Sequence, residues 1–273
     1  MVILFLACAS GPAAETLIDE LRTVAVLADP PEATAGETVA FDAVVLDPLD
    51  EGFEVLTWTC TFTGEDCLET LGEDSWSGLS LIDAPESDTI STDYTVSKAL
   101  SDALSEEPLP LVSHWTLACI PGTCPVFDTA RGDDTEALRE ELSDPTAWLA
   151  ELPFEGVSLS LRTLLLSTRS AEERLVNPTV SCASQTGEMT AVAGESLMFD
   201  CDVTGDFDLE GGLWGYTTAG GWGLGFTPLT AEETTQEYLW YAPEDGGVDV
   251  PVWVVIIDGR GGVGLWSGSV AVE

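Results

Sequence analysis

The chain has 273 residues, and its 49 acidic residues greatly outnumber its 8 basic ones, which gives a formal net charge of −41. A charge of this size and sign excludes nucleic-acid binding by phosphate neutralisation and favours cations and basic partners, although its simplest role is solubility. Hydrophobic residues make up 45% of the chain, which excludes wholesale disorder, and a chain of 273 residues is long enough for two domains with cores.

The N-terminus carries a short apolar run, MVILFLACAS, in which the cysteine is Cys8. The run resembles a bacterial lipoprotein signal, in which the cysteine thiol takes a diacylglycerol and becomes the mature N-terminus. On this interpretation residues 1–20 are signal and tether, and the lipid on Cys8 anchors the protein in a bilayer, at the outer membrane or cell surface. The alternative is a short apolar N-terminus with a chance cysteine.

A short sequence occurs twice: residues 35–42 read AGETVAFD and residues 193–200 read AGESLMFD. Each copy is a turn glycine followed by alternating apolar residues, the pattern of a strand with one buried face. A tryptophan follows each copy, Trp58 in the first and Trp214 in the second. The repeat predicts two related β-sandwich domains. Their boundaries are 21–168 for the first domain, 169–178 for a linker and 179–273 for the second domain.

Alternation of apolar residues predicts most strands of the first domain. Residues 64–88 are acidic and rich in turn residues, so no element is predicted there. Near 134–152 the apolar spacing becomes helical, which predicts a small helical insertion. Trp58 and Trp115 are expected in the sandwich core, with His114 on the opposite face of its strand. The predicted strands are Thr23–Leu27, Thr38–Leu46, Glu54–Cys60, Thr89–Val96, Leu109–Cys119 and Gly156–Thr168.

The second domain shows the same period-two pattern. Asp258 and Gly259 stand between two long apolar runs, and Asp-Gly at such a place predicts a hairpin turn because glycine accepts positive φ. The predicted strands are Thr179–Ala183, Ser196–Val203, Leu213–Thr218, Gln236–Tyr241, Val248–Ile257 and Val263–Val272.

Seven cysteines leave six for disulfides if Cys8 carries a lipid, and export permits such bonds. Metal binding by these thiols is disfavoured because the chain has no C-x-x-C pair and only one histidine. The candidates are Cys60 with Cys67, Cys119 with Cys124, and Cys182 with Cys201.

The repeat supports the last of these pairs. Cys182 and Cys201 are nineteen residues apart (201 − 182), as are Val24 and Ala43 (43 − 24) at the corresponding places of the first copy. We expect Val24 to pack against Ala43 between neighbouring strands of the first domain, and a disulfide to join Cys182 and Cys201 at the corresponding place in the second domain.

Four short sequence motifs follow one another along the chain. They are LRTVAV, DPPE and AGE within residues 21–37, ACIPGTCP at the end of residues 109–125, LPFEGV at residues 152–157 and DGRGG at residues 258–262. This order resembles predicted surface lipoproteins of myxobacteria-like genomes, which join a lipobox to an N-terminal Ig-like and a C-terminal PKD/Ig-like domain. The resemblance implies an all-β fold of two Ig/PKD-like β-sandwich domains, the first with a small helical insertion. It also implies an exported, anchored and non-enzymatic protein.

An acidic segment of the second domain carries a candidate calcium site. Carboxylate oxygens packed this densely are ligands that calcium prefers, and the spacing partly matches an EF-hand loop. Gly211 stands where that loop requires glutamate, and the alternative is a solvated loop of an acidic protein. The candidate ligands are Asp200, Asp202, Asp206, Asp208 and Glu210.

A glycine-rich segment, residues 211–225, carries Trp214, Tyr216 and Trp222, and two further aromatic residues, Trp240 and Tyr241, follow it. These rings are candidates for a glycan-binding platform, and Trp222 is expected to be exposed because it lies among glycines. The alternative is that they belong to the core.

No nucleophile-elbow, P-loop or dinucleotide motif occurs in the sequence. Together with the signal around Cys8 and the resemblance to surface lipoproteins, this predicts an exported, lipid-anchored cell-surface protein with a structural, adhesive or binding role, without catalysis or a cofactor. Its partner is an unidentified surface protein or glycan. The alternative function is a calcium- or carbohydrate-binding module in the second domain.

Overall fold

The computed structural model describes residues 17–62, 76–83, 88–98, 111–132, 137–138, 152, 155–207, 211–229 and 235–273. The predicted all-β class is confirmed, because these residues form several β-sheets and very little helix, including the short α-helix α1 (Val126–Arg131). The chain divides into two compact units. The N-terminal unit is Glu20–Val176, and the C-terminal unit is Asn177–Glu273 together with the described residues up to Asp19. In the described part of the chain, no helix is long and apolar enough to cross a membrane.

The N-terminal unit is a sandwich of a three-stranded sheet, in the order β1-β3-β6, and a five-stranded sheet, in the order β2-β8-β7-β4-β5. Strand β5 lies in the segment for which the sequence predicts no element. The predicted helical insertion near 134–152 lies mostly outside the described residues. The strands are β1 (Arg22–Asp29), β2 (Glu32–Ala33), β3 (Thr38–Leu46), β4 (Glu54–Phe62), β5 (Trp76–Asp83), β6 (Thr89–Thr95), β7 (Leu111–Cys119) and β8 (Val157–Leu166).

Both faces of the five-stranded sheet are covered. Its inner face packs on the three-stranded sheet, while Leu56, Trp58 and Leu117 on its outer face form a second cluster with α1. The rings of Trp58 and Trp115 stack 5.8 Å apart in this outer layer. Trp58 is therefore buried in a hydrophobic core cluster, as predicted, and Trp115 packs against that cluster. The cluster lies on the outer face of the five-stranded sheet and not between the two sheets.

His114 occupies the inner face instead. It is only 2% exposed and stacks on Phe41 of β3, with ring centroids 4.1 Å apart. Period-two alternation separates His114 from Trp115 correctly, but it cannot tell which face is inner when both are covered.

The C-terminal unit is a second sandwich, with sheets in the orders β10-β17-β16-β12-β14 and β13-β15-β11-β9. Its core lies between them and includes Phe199, Trp240 and Val252. The strands are β9 (Thr179–Ser184), β10 (Thr190–Ala191), β11 (Ser196–Thr204), β12 (Gly212–Thr217), β13 (Gly221–Trp222), β14 (Phe226–Pro228), β15 (Thr235–Tyr241), β16 (Val248–Ile257) and β17 (Val263–Val272).

The sequence repeat is also a repeat of structure. The turn glycines Gly36 and Gly194 both have positive φ, 86° and 73°. The carbonyl of the residue that follows each glycine accepts a 2.8 Å hydrogen bond, from the Val96 amide in one unit and from the Ala242 amide in the other. In each unit a two-residue strand, β2 or β10, pairs in parallel with the last strand.

Two of the three predicted disulfides are present, Cys119–Cys124 and Cys182–Cys201. Cys67 and the side chain of Cys60 lie outside the described residues. Cys182 is directly opposite Cys201 on neighbouring strands, and closing a loop of this length contributes about 3 kcal/mol in the chain-entropy model.

The contact predicted in the N-terminal unit between Val24 and Ala43 is wrong. Ala43 pairs with Val26, because Arg22 is opposite Leu46 and the register then shifts by one residue between Thr23 and Ala25. The paired residues are therefore 17 apart (43 − 26) in the first copy and 19 apart (201 − 182) in the second.

The end of the predicted tether is ordered. Leu17 forms a parallel bridge with Thr217 of β12, and the Ile18 amide donates a 2.7 Å hydrogen bond to the Thr217 carbonyl. Residues 17–19 therefore belong to the C-terminal unit rather than to a free tether.

The predicted linker is also fixed at both ends. Arg169 pairs with Glu32 of the N-terminal unit, and the Leu175 amide donates a 2.8 Å hydrogen bond to the same carboxylate. At the other end, Oδ1 of Asn177 accepts a 3.0 Å hydrogen bond from the Val263 amide of the C-terminal unit. Val176 lies between these two contacts and is 79% exposed.

Candidate ligand-binding face of the C-terminal unit

The outer side of the sheet β10-β17-β16-β12-β14 is rich in aromatic residues. On β16, Val252 and Val254 point into the core, so Trp253 between them points outwards. On β12 the core residue is Leu213, which places Trp214 and Tyr216 on the outer side.

The strand register brings these rings together. Tyr216 is directly opposite Trp253, and Trp214 is directly opposite Phe226 of β14. The rings of Trp214 and Phe226 are 4.4 Å apart at an angle of 40°. All four side chains are half-buried, and we call Trp214, Tyr216, Phe226 and Trp253 the aromatic face.

Hydroxyl groups border the aromatic face on β17. Ser267 is directly opposite Trp253 and Ser269 is directly opposite Pro251, and both serines are exposed. The outer side of this sheet therefore combines flat rings with polar groups. This combination suits a ligand with apolar faces and hydroxyl edges.

Trp222 does not belong to this face, and the prediction that it is exposed is wrong. It is 7% exposed and packs in the core against Phe199 and Tyr238, with centroids 5.4 and 5.0 Å away. Its Nε1 donates a 3.0 Å hydrogen bond to the Tyr216 carbonyl. A Cβ at Gly215 would lie 2.6 Å from the Trp222 ring, so the neighbouring glycine admits the ring to the core.

The acidic segment does not gather its carboxylates around one point in the described part of the chain. Asp200 accepts a 2.8 Å hydrogen bond from Gln185, Asp202 accepts one of 2.8 Å from Thr235, and Asp206 pairs with an arginine. Asp208 and Glu210 lie outside the described residues. Within the ranges that the structure describes, no group of three His, Cys, Asp or Glu residues is arranged to hold a metal ion.

No protein-family model matches the chain, and no curated protein matches it. Similar solved structures include a conjugative transposon lipoprotein from Bacteroides eggerthii, with 13% identity over 34% of this chain and 95% of that one and a TM-score of 0.27. The titin domains z1z2 in complex with telethonin have 12% identity over 93% and 92% of the two chains and a TM-score of 0.22. Latent PorU from Porphyromonas gingivalis has 12% identity over 93% of this chain and 24% of that one, and a TM-score of 0.27. Values this low assign no function to this chain.

Proposed function

We propose that this protein is an exported, lipid-anchored, non-catalytic binding protein of the cell surface, and that the aromatic face binds carbohydrate. The observation that carries this proposal is the row of four rings on the outer side of one sheet. Core aromatic residues point inwards, whereas these occupy the side away from the core, where a contiguous apolar surface marks a binding site. Sugar rings have flat C–H faces that stack on such rings and hydroxyls that reach the bordering serines.

The negative charge of the C-terminal unit disfavours acidic carbohydrates as ligands. Residues 177–273 contain fifteen Asp and Glu residues and a single basic residue, Arg260. A polysaccharide that carries carboxylate or sulfate groups would be repelled by this unit. The ligand that we propose is therefore a neutral polysaccharide.

Replacing Trp253 with alanine is expected to weaken binding of a neutral soluble polysaccharide about fivefold, because loss of one stacking ring removes about 1 kcal/mol of binding free energy. Affinity electrophoresis in gels that contain single neutral glucans, xylans or mannans measures the effect. Tyr241→Ala is the matched control, since it removes an exposed ring from the other sheet and should leave the affinity unchanged. Equal retardation of wild type and Trp253→Ala in every polysaccharide that retards either would contradict the proposal.

The anchor is the second part of the proposal. Disulfides are typical of oxidising compartments, which indicates an extracytoplasmic protein. Leu17 is nine residues after Cys8 and pairs with β12, so a lipid on Cys8 would hold the C-terminal unit within roughly 30 Å of the bilayer.

Intact mass of the protein extracted from its native membranes is expected to show a lipid adduct that disappears in Cys8→Ser. Alkylating free thiols without reduction in the same experiment should leave Cys119, Cys124, Cys182 and Cys201 unmodified, because they are disulfide-bonded. An unlipidated wild-type chain with alkylated cysteines at these four positions would argue against export altogether.

A further inference from the structure

The second sheet of the C-terminal unit, β13-β15-β11-β9, carries a groove on its outer side that the carbohydrate proposal does not use. The groove is open to solvent and has a volume of about 250 Å³, and its apolar lining comes from Met198, Leu224, Leu239 and Tyr241. Leu224 is 64% exposed and Tyr241 is 49% exposed. These apolar side chains lie beside one another, so an apolar side chain of a partner could cover them together.

Carboxylates stand at one end of this groove. Glu237 lines it, and Asp200 is directly opposite Glu237 on the neighbouring strand. Like charges directly opposite each other destabilise a pair of strands. The amide of Gln185 donates to both, at 2.8 Å to Asp200 and 3.4 Å to Glu237, but it brings no positive charge.

The C-terminal unit has little positive charge of its own to offset this pair. Arg260 is the only basic residue in 177–273, and it binds elsewhere, with its Nη2 2.8 Å from a carboxylate oxygen of Asp206. Strands β9, β11, β13 and β15 contain no lysine or arginine. A cation that offsets this pair of carboxylates would therefore come from a partner.

We propose that this groove binds an extended segment of a basic protein, separately from the carbohydrate face. A lysine or arginine of that segment lies between Asp200 and Glu237. Its aliphatic stem, or a neighbouring apolar side chain, covers Met198 and Leu239. The exposed ring of Tyr241 supplies a further surface for a cation. Charge complementarity selects this occupant, because a hydrophobic or acidic segment would leave the opposed carboxylates unrelieved.

The test uses a fluorescein-labelled peptide of alternating leucine and lysine, with a serine–lysine peptide of equal charge as the comparison probe. Fluorescence anisotropy with the whole protein is expected to show binding of the leucine–lysine peptide at least about tenfold tighter than of the serine–lysine peptide, since only leucine fills the groove. Glu237→Gln and Tyr241→Ala should each lower the affinity for the leucine–lysine peptide about tenfold.

Asp249→Asn is the charge-matched control, because Asp249 is exposed on the other sheet and its replacement also removes one negative charge. It should change the affinity less than about twofold. Equal effects of Asp249→Asn and Glu237→Gln, or equal affinities for the two peptides, would show attraction by net charge alone and overturn the proposal. Trp253→Ala should leave peptide binding intact, so the two proposed sites fail or succeed independently.

Discussion

Replacing Arg169 with methionine is expected to lower the free energy of unfolding of the N-terminal unit by about 3 kcal/mol. The reason is Glu32, whose side chain is fully buried while that of Arg169 is half exposed. Nε of Arg169 donates a 2.9 Å hydrogen bond to one carboxylate oxygen, and its Nη2 donates to the other. Without the guanidinium, a buried carboxylate keeps only neutral donors such as the Leu175 amide.

The sign of the pH dependence distinguishes this cause from a loss of packing. Burial alone would raise the pKa of Glu32, but hydrogen bonds from Leu175, Ser167 and Arg169 lower it below 4.5 in the wild type. Wild-type stability from this group is therefore present at neutral pH and is lost as pH falls through the lowered pKa. In Arg169→Met the pKa of Glu32 should rise instead, so the difference between the two proteins should shrink as the pH falls from 7 to 4.5.

Urea unfolding monitored by tryptophan fluorescence measures both effects. Arg174→Met is the matched control, because Arg174 pairs with Glu37, which is 39% exposed and stays hydrated when its partner is removed. The control should lose less than about 1 kcal/mol. The double variant Glu32→Leu with Arg169→Met should recover most of the loss, since no buried charge remains. Equal losses in the two arginine variants would show that burial of Glu32 does not determine the effect.

Strands with one buried face were predictable from the sequence. The bounds predicted for Thr38–Leu46, Val248–Ile257 and Val263–Val272 coincide with those of β3, β16 and β17, because alternating apolar residues run between clear turn residues. Strand β5 (Trp76–Asp83) was missed since its neighbourhood is rich in turn residues, and its pairing with β4 depends on residues distant in sequence. Alternation finds local elements, and tertiary pairing decides the rest.

The candidate site was predictable only in part, for the same reason. Trp214 and Tyr216 are two residues apart on one strand, so the sequence alone places them on one face. Phe226 and Trp253 join them through strand register, which the sequence does not reveal. A usable signal was present in β16, where Trp253 alternates with the core valines. The pairing of Arg169 with Glu32 spans 137 residues and had no local signal.

A second large effect on stability is expected from the protonation of His114, the only histidine in the chain. Its Nδ1 lies 2.9 Å from Oγ1 of Thr59 on the same sheet, and its Nε2 lies 3.4 Å from Oγ1 of Thr92 on the facing sheet. Burial disfavours the imidazolium and lowers the pKa of His114 to about 4, from an ordinary value of 6.5. The neutral ring is thus a bridge between the two sheets that a proton would disrupt.

We expect the N-terminal unit to lose about 3 kcal/mol of stability through His114 alone as the pH falls from 6.5 to 4. Above 6.5 the ring is neutral in both the folded and unfolded states and contributes no pH dependence. Below pH 6.5 His114 becomes protonated in the unfolded chain but stays neutral in the folded chain. The free energy of unfolding therefore falls until the pH reaches the pKa of His114 in the folded protein. Neutralising part of the net charge of −41 relieves repulsion over the same range and acts in the opposite direction.

A comparison with His114→Gln separates the two contributions, because the carboxylates are common to both proteins. The variant lacks the imidazole at every pH, so the stability lost with its packing is the same at every pH. The informative quantity is the unfolding free energy of the wild type minus that of His114→Gln, measured as a function of pH. This difference should decrease by about 1.4 kcal/mol per pH unit between 6.5 and 4. Proton NMR of the single imidazole in the folded protein should show no titration down to pH 5. A titration near 6.5, together with parallel pH curves for the two proteins, would mean that the ring is open to water and does not bridge the sheets.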